Sequence, residues 1–224
     1  MSIFTVLLTM TFLLLCTSAA GKKVKDSAAR HNIHNPEEHV VDWCTALKYL
    51  SDGNRRYIDN QTMPRDTNDA DRAALKDGQK PFAVVVTCSD SRVSPEIYFD
   101  QKLGDIFVIR SAGNIADTTA LGSIEYAVEH LRAPLVVVVG HSKCGAVSGA
   151  YNGGKFPKNL STIINAISPS IRNSKCLDDA IHDHMSSVVE HIRKNEIVVE
   201  TGAKVAGAFY DIETGKVIFE HHIG

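Results

Sequence analysis

Phe82-Ala83-Val84-Val85-Val86-Thr87 is an apolar, mostly β-branched run with no polar alternation. A strand with one face in water alternates polar and apolar side chains, so a run without alternation belongs to a strand covered on both faces. Ile106 to Ile109 and Leu135 to Val139 repeat the pattern. Between them, Ala120 to Leu131 carries Leu121, Ile124, Ala127, Val128 and Leu131 at helical spacing. Buried strands alternating with helices predict a single α/β domain with a largely parallel central sheet flanked by helices.

The pattern extends in both directions. An amphipathic helix begins near Asp178 and Asp179 and presents Ile181, Met185, Val188, Val189 and Ile192. Lys204 to Tyr210, the turn Glu213-Thr214-Gly215 and Val217 to Glu220 predict a C-terminal hairpin. Toward the N-terminus, Asn35 offers an N-cap, Pro36 a first helical position, and Glu37 and Glu38 suit the helix dipole. Trp43, Ala46, Leu47, Leu50, Tyr57 and Ile58 continue the period, which predicts a helical arm over about 36–58, interrupted near Gly53. The charged stretch from Asn60 to Lys80, with Pro64 and Gly78, predicts a loop holding one short helix.

The first residues stand apart. Ile3 to Leu15 is almost wholly apolar and is followed by the small residues Thr17, Ser18, Ala19, Ala20 and Gly21. That pattern predicts a secretory signal peptide over 1–20, a polar flexible arm over 21–35 and a domain over 36–224. It also predicts a periplasmic or secreted protein with no membrane span in the mature chain, since a span needs about 20 apolar residues. No Lys or Arg precedes Ile3, so an uncleaved N-terminal anchor is the alternative.

With 224 residues, 44% of them hydrophobic, the chain is long enough to bury one sizeable core, which excludes a disordered protein. Its 24 basic and 26 acidic side chains leave a net charge of −2, without the basic excess of a nucleic-acid binder.

Two motifs follow strands, where such sheets bind ligands. Cys88-Ser89-Asp90-Ser91-Arg92 comes directly after the first run, and His141-Ser142-Lys143-Cys144-Gly145 after the third. If these strands are neighbours, Cys88, His141 and Cys144 converge. Two thiolates and one imidazole form a zinc set, and three protein ligands leave a fourth position open, as catalytic sites do. Two thiolates also cancel the charge of zinc, so water bound there ionises less readily than at a three-histidine site. A nearby group must position that water and manage its proton. Asp90 is the candidate, kept ionised by a bidentate pairing with Arg92. Unpaired, Asp90 would swing onto the fourth position and shut the site. The plainer alternatives are buried cysteines that only pack and an Asp–Arg pair that only holds a turn. No two cysteines lie three apart, which excludes a Cys-x-x-Cys redox motif.

In this order and after these strands, the two motifs resemble those of the β-class carbonic anhydrases. The resemblance runs from about Ala46 to the C-terminal hairpin. It includes Gly53-Asn54-Arg55-Arg56-Tyr57, Ser111-Ala112-Gly113-Asn114, Ile124-Glu125-Tyr126-Ala127 and Tyr210-Asp211-Ile212-Glu213-Thr214-Gly215. It implies reversible hydration of carbon dioxide to bicarbonate and a proton by zinc-bound hydroxide, with one zinc ion per subunit. It implies Cys88, His141 and Cys144 as ligands and Asp90 with Arg92 as the catalytic dyad. Gln79, nine positions before Cys88, Phe107, nineteen after it, and Tyr126 match the plant-like subtype. By resemblance these three line the substrate pocket, some supplied by the partner subunit of a homodimer or a multiple of it. Gly145, opening a helix, would offer its N–H to bicarbonate. Two other activities stay open: a carbonyl sulfide or carbon disulfide hydrolase on the same scaffold, and a non-catalytic zinc- or bicarbonate-binding protein.

Cys44 and Cys176 are left over and would be able to form a disulfide in an oxidising compartment, or remain free thiols. Among ten histidines only His141 has a motif behind it; His184 and His191 share a helical face that reads as a solvated stripe.

Overall fold

The computed structural model describes residues 41–64 and 68–220. Five strands form one sheet: β1 (Ala83–Cys88), β2 (Ile106–Ser111), β3 (Leu135–His141), β4 (Lys204–Tyr210) and β5 (Val217–Phe219). Their order is β2-β1-β3-β4-β5, with the first four parallel and β5 antiparallel to β4. This is the α/β fold that the valine runs and the hairpin turn predict.

The unalternating runs work as expected. Ala83, Val85, Val137 and Val139 pack on one face of the sheet, under Ala46, Leu47 and Leu50 of α1 (Trp43–Ile58). Val84, Val86, Val136 and Val138 pack on the other, under Ile124, Met185, Val188 and Ile192. Each buried valine contributes about 1.5–3 kcal/mol of transfer free energy, so helices must cover both faces. β2 is the exception. It lies at the edge, and its residues stay partly exposed.

Helix α1 begins later than the predicted 36. Asp42 is extended and its carboxylate accepts the Thr45 N–H at 2.9 Å, so the cap lies here. Asn35 and Pro36 fall outside the described residues, as do the apolar run and the basic arm. Nor is α1 interrupted at Gly53. A Cβ on that residue would stand 1.7 Å from the Phe99 carbonyl oxygen, so glycine is present for close approach. Beside it the buried Asn54 donates to the carbonyls of Tyr98 and Gly215 and accepts the Val217 N–H, joining α1 to the hairpin.

The loop before β1 does hold one short helix, α2 (Asp69–Leu75), capped by Asn68. A single turn, α3 (Pro95–Tyr98), leads into β2. The helix predicted over 120–131 is α4 (Thr118–Glu125), which widens into a π-helical turn over Tyr126–His130. After β3 come α5 (Gly145–Asn152) and α6 (Lys158–Ile167); α6 presses Ile164 against Gly149 and Ile167 against Gly113. The periodic helix from Asp178 is α7 (Leu177–Arg193), followed by α8 (Glu196–Thr201).

Of the two outcomes open to Cys44 and Cys176, a bond between them is not the one present. Cys176 is an exposed free thiol whose sulfur accepts the Asp179 N–H as the N-cap of α7. Among the described residues no helix is long and apolar enough to cross a membrane.

Candidate metal centre

The strand order places a switch point at the site. From β1 the chain moves outward to β2 and returns to β3 on the other side, so the carboxyl ends of β1 and β3 open a crevice between diverging connections. Cys88 closes β1 and His141 closes β3. A tight turn, with Lys143 at φ 58°, brings Cys144 round as the N-cap of α5. The Cys88 and Cys144 sulfurs and a ring nitrogen of His141 all lie within 4.8 Å of one another, and the three residues are buried.

Hydrogen bonding shows what these atoms await. His141 Nδ1 lies 3.0 Å from the Ser142 carbonyl oxygen, which only accepts, so Nδ1 carries the proton. Nε2 is then a bare lone pair, wholly buried and without a hydrogen-bond partner. A buried acceptor left so is costly unless a cation takes it. Two adjacent sulfurs make that cation a thiophilic one, and the separations accommodate metal–ligand bonds of about 2.0–2.3 Å. The residues therefore fit zinc.

The Cys144 thiol, bonding to Cys88, holds the Cys88 thiol well below its ordinary range, and the N–H groups of Gly113 and Asp90 also favour its thiolate. Cys144 is pushed up, first by that same bond to Cys88 and then by burial, while the Val147 and Ala146 N–H groups at the start of α5 pull the other way.

Asp90 stands beside this set without joining it. Arg92 donates from Nε to Oδ1 at 2.9 Å and from Nη2 to Oδ2 at 2.6 Å, and its backbone N–H adds a third bond at 2.9 Å. The Arg92 side chain is the main reason the carboxyl lies well below the ordinary range. Arg110, which the sequence reading passed over, holds the loop from outside by donating to the carbonyls of Cys88 and Asp90. Its position as the last but one residue of a strand, three residues before Gly113, was the available signal.

The other predicted residues lie elsewhere. Gly145 is the first residue of α5, and a Cβ there would meet nothing within 4 Å, so it borders open space. Gln79 is exposed in the loop before β1. Phe107 and Tyr126 meet with ring centroids 6.3 Å apart, Tyr126 being 46% exposed. Phe107 pairs with Val84, four residues before Cys88, and packs with the opposite face of the sheet. The register thus sets Phe107 about 13 Å along the strand from the level of Cys88 and on the other face of the sheet.

His184 corrects the sequence reading. It is buried, not part of a solvated stripe, and its Nε2 lies 2.7 Å from the Gly113 carbonyl oxygen. Its spacing of three from Ile181 was the missed signal, since it shares the apolar face of α7.

Fold and site together define an α/β protein with three candidate metal ligands at its switch point. Residues 83–217 match the family model described as carbonic anhydrase. The chain is 37% identical over 193 residues to a carbonic anhydrase of Mycolicibacterium smegmatis, covering 80% of this chain and 94% of that protein. It is equally similar to carbonic anhydrase 2 of Mycobacterium tuberculosis, with 80% and 93% covered. Among solved structures, a tetrameric β-carbonic anhydrase of Sordaria macrospora superposes with a TM-score of 0.64 at 25% identity, covering 80% of this chain and 98% of that one. The chain belongs to the β-carbonic anhydrase family, and it is an enzyme of that kind.

Proposed function

We propose that the chain reversibly hydrates carbon dioxide to bicarbonate and a proton, at a zinc ion held by Cys88, His141 and Cys144. The observation that carries this reading is the unpartnered Nε2 of His141, buried beside two sulfurs at the carboxyl end of a parallel sheet. Zinc, when bound, supplies a Lewis acid that turns water into a nucleophile near neutral pH.

The chain's own residues do the remaining work. Arg92 keeps Asp90 ionised and turned away from the ligand atoms, so the carboxylate is free to accept a hydrogen bond from the attacking water. It also keeps Asp90 off the fourth ligand position. Gly145 opens α5 at its positive end and leaves the space of a Cβ empty, which supports a role for its N–H in holding a bicarbonate oxygen.

Gln79, Phe107 and Tyr126 complete the pocket of a neighbouring subunit. Four strand residues separate the level of Phe107 from that of Cys88, about 13 Å, too far to wall the same site. This supports a homodimer or a multiple of it, and the Sordaria relatives are tetrameric. The apolar run before the small residues at 17–21 supports export to the periplasm or beyond. N-terminal sequencing of the protein recovered outside the cytoplasm tests that part.

The test of the activity is stopped-flow carbon dioxide hydration, with metal content measured on the same sample. The expected result is one zinc per chain and turnover that is lost on chelation and returns with zinc. Turnover that survives complete metal removal, or none in a fully loaded protein, overturns the proposal.

A further inference from the structure

Cys88 receives a bond that originates outside the ligand motifs. The Gly113 N–H donates to its sulfur at 3.3 Å. Gly113 stands at φ 73° and ψ 25° in a short turn, Ala112–Asn114, directly after β2. On the far side of the same residue, the Gly113 carbonyl oxygen lies 2.7 Å from His184 Nε2. A carbonyl only accepts, so Nε2 carries the ring proton. His184 Nδ1 then accepts from Ser170 Oγ at 2.9 Å, the single hydroxyl proton being shared with the Ile167 carbonyl oxygen 2.6 Å away. The ring is 3% exposed and bonded at both nitrogens, and burial favours its neutral form.

The two bonds at Gly113 fall on the two peptide planes that flank its Cα. Between them they set both of its dihedral angles, in a region that L side chains rarely adopt. Without the pull on the carbonyl, only the packing of Ile167 and Ala146 would restrain the turn, and the N–H would be able to leave the sulfur. An N–H directed at a thiolate draws charge from it and fixes its position, as outer partners do around metal ligands.

We propose that His184 is a positioning residue of the metal centre, holding Gly113 in the left-handed conformation that aims its N–H at the Cys88 sulfur. This rests on the reading of Cys88, His141 and Cys144 as a zinc set.

The test compares His184→Ala, His184→Asn and His184→Gln in the full chain. Gln places a terminal N–H near the former Nε2, whereas the Asn side chain is too short to reach the Gly113 carbonyl. Zinc affinity is read by competition with a chromogenic chelator, and ligand geometry by the thiolate-to-metal absorption of the cobalt-substituted protein. Ala and Asn are expected to weaken zinc binding about 10–100-fold and to shift the cobalt band. Gln is expected to stay within about threefold of the unmodified protein, in line with rescue by an outer-shell donor. Should Ala fail to fold, the contrast between Asn and Gln decides. If Ala or Asn lowers the melting temperature while affinity and band stay unchanged, or if Gln is as damaging as Asn, His184 is only a packing residue and the proposal falls. If the unmodified protein itself binds no zinc, the metal reading fails first, independently of the variants.

Discussion

Arg92 grips both oxygens of Asp90, one from Nε and one from Nη2, while Asp90 stays two residues from the cysteine that ends β1. The carboxylate is therefore held at the site without being spent on the metal, and the two functions separate by mutation. Cys88→Ser is expected to abolish stoichiometric zinc and turnover together. Asp90→Asn is expected to keep one zinc per chain and lose about 10²-fold or more in kcat, the scale of a removed acid–base or positioning group. Elemental analysis beside stopped-flow rates checks both, and a fully active Asp90→Asn at pH 8 would show that the carboxylate only holds the turn.

Asp105 offers a stability test away from the metal. Burial raises its carboxyl to about 6, although Oδ2 accepts the Lys102 N–H at 2.7 Å. Its folded-state pKa lies above the unfolded value, so the folded chain holds a proton that the unfolded chain releases between about pH 4 and 6. Stability therefore falls as pH rises through that window and is level above it. The shift corresponds to about 2–3 kcal/mol by 1.36 kcal/mol per unit. Asp105→Asn is expected to recover about that amount in urea unfolding at pH 8, and about half of it at pH 5. An equal effect at both pH values would contradict the assignment.

Asn54 carries three hydrogen bonds to backbone groups from inside α1. Asn54→Ala leaves two carbonyls and one N–H without it in a buried setting, so a loss of about 2–4 kcal/mol is expected. Urea unfolding reads it directly. A loss below about 0.5 kcal/mol would mean that water or neighbouring groups replace the amide.

The proposal that subunits share a pocket is testable by mixing them. Cys88→Ser removes a chain's own metal centre, and Tyr126→Ala removes the wall it lends. Each homo-oligomer should turn over poorly, yet dissociation and reassociation of the two together should restore activity, because mixed dimers contain one site with both parts intact. No recovery, with sedimentation confirming mixed oligomers, would place Tyr126 in its own chain's function or in none.

Much of this was legible along the chain for one reason: local periodicity reports burial. The valine runs of β1 and β3 alternate between two apolar faces, and nothing in them required long-range knowledge. His141-x-x-Cys144 was legible because the ligands are close in sequence and the turn between them is short. The start of α1 was misplaced because two acceptable caps, Asn35 and Asp42, compete on local rules alone. Whether Cys44 and Cys176 pair was not legible, because cysteine count says nothing about distance.

By itself, the amino-acid sequence determined which strands are buried on both faces, which residue types offer metal donors and that those donors follow strand ends. Only the tertiary structure decided that β1 and β3 are neighbours across the switch point, which unites Cys88 with His141 and Cys144. It alone placed His184 behind Gly113 and set Phe107, beside Tyr126, on the sheet face opposite Cys88. The division has a physical cause. Periodicity and donor chemistry are properties of short segments, whereas strand order and the facing of distant side chains depend on how the whole core closes.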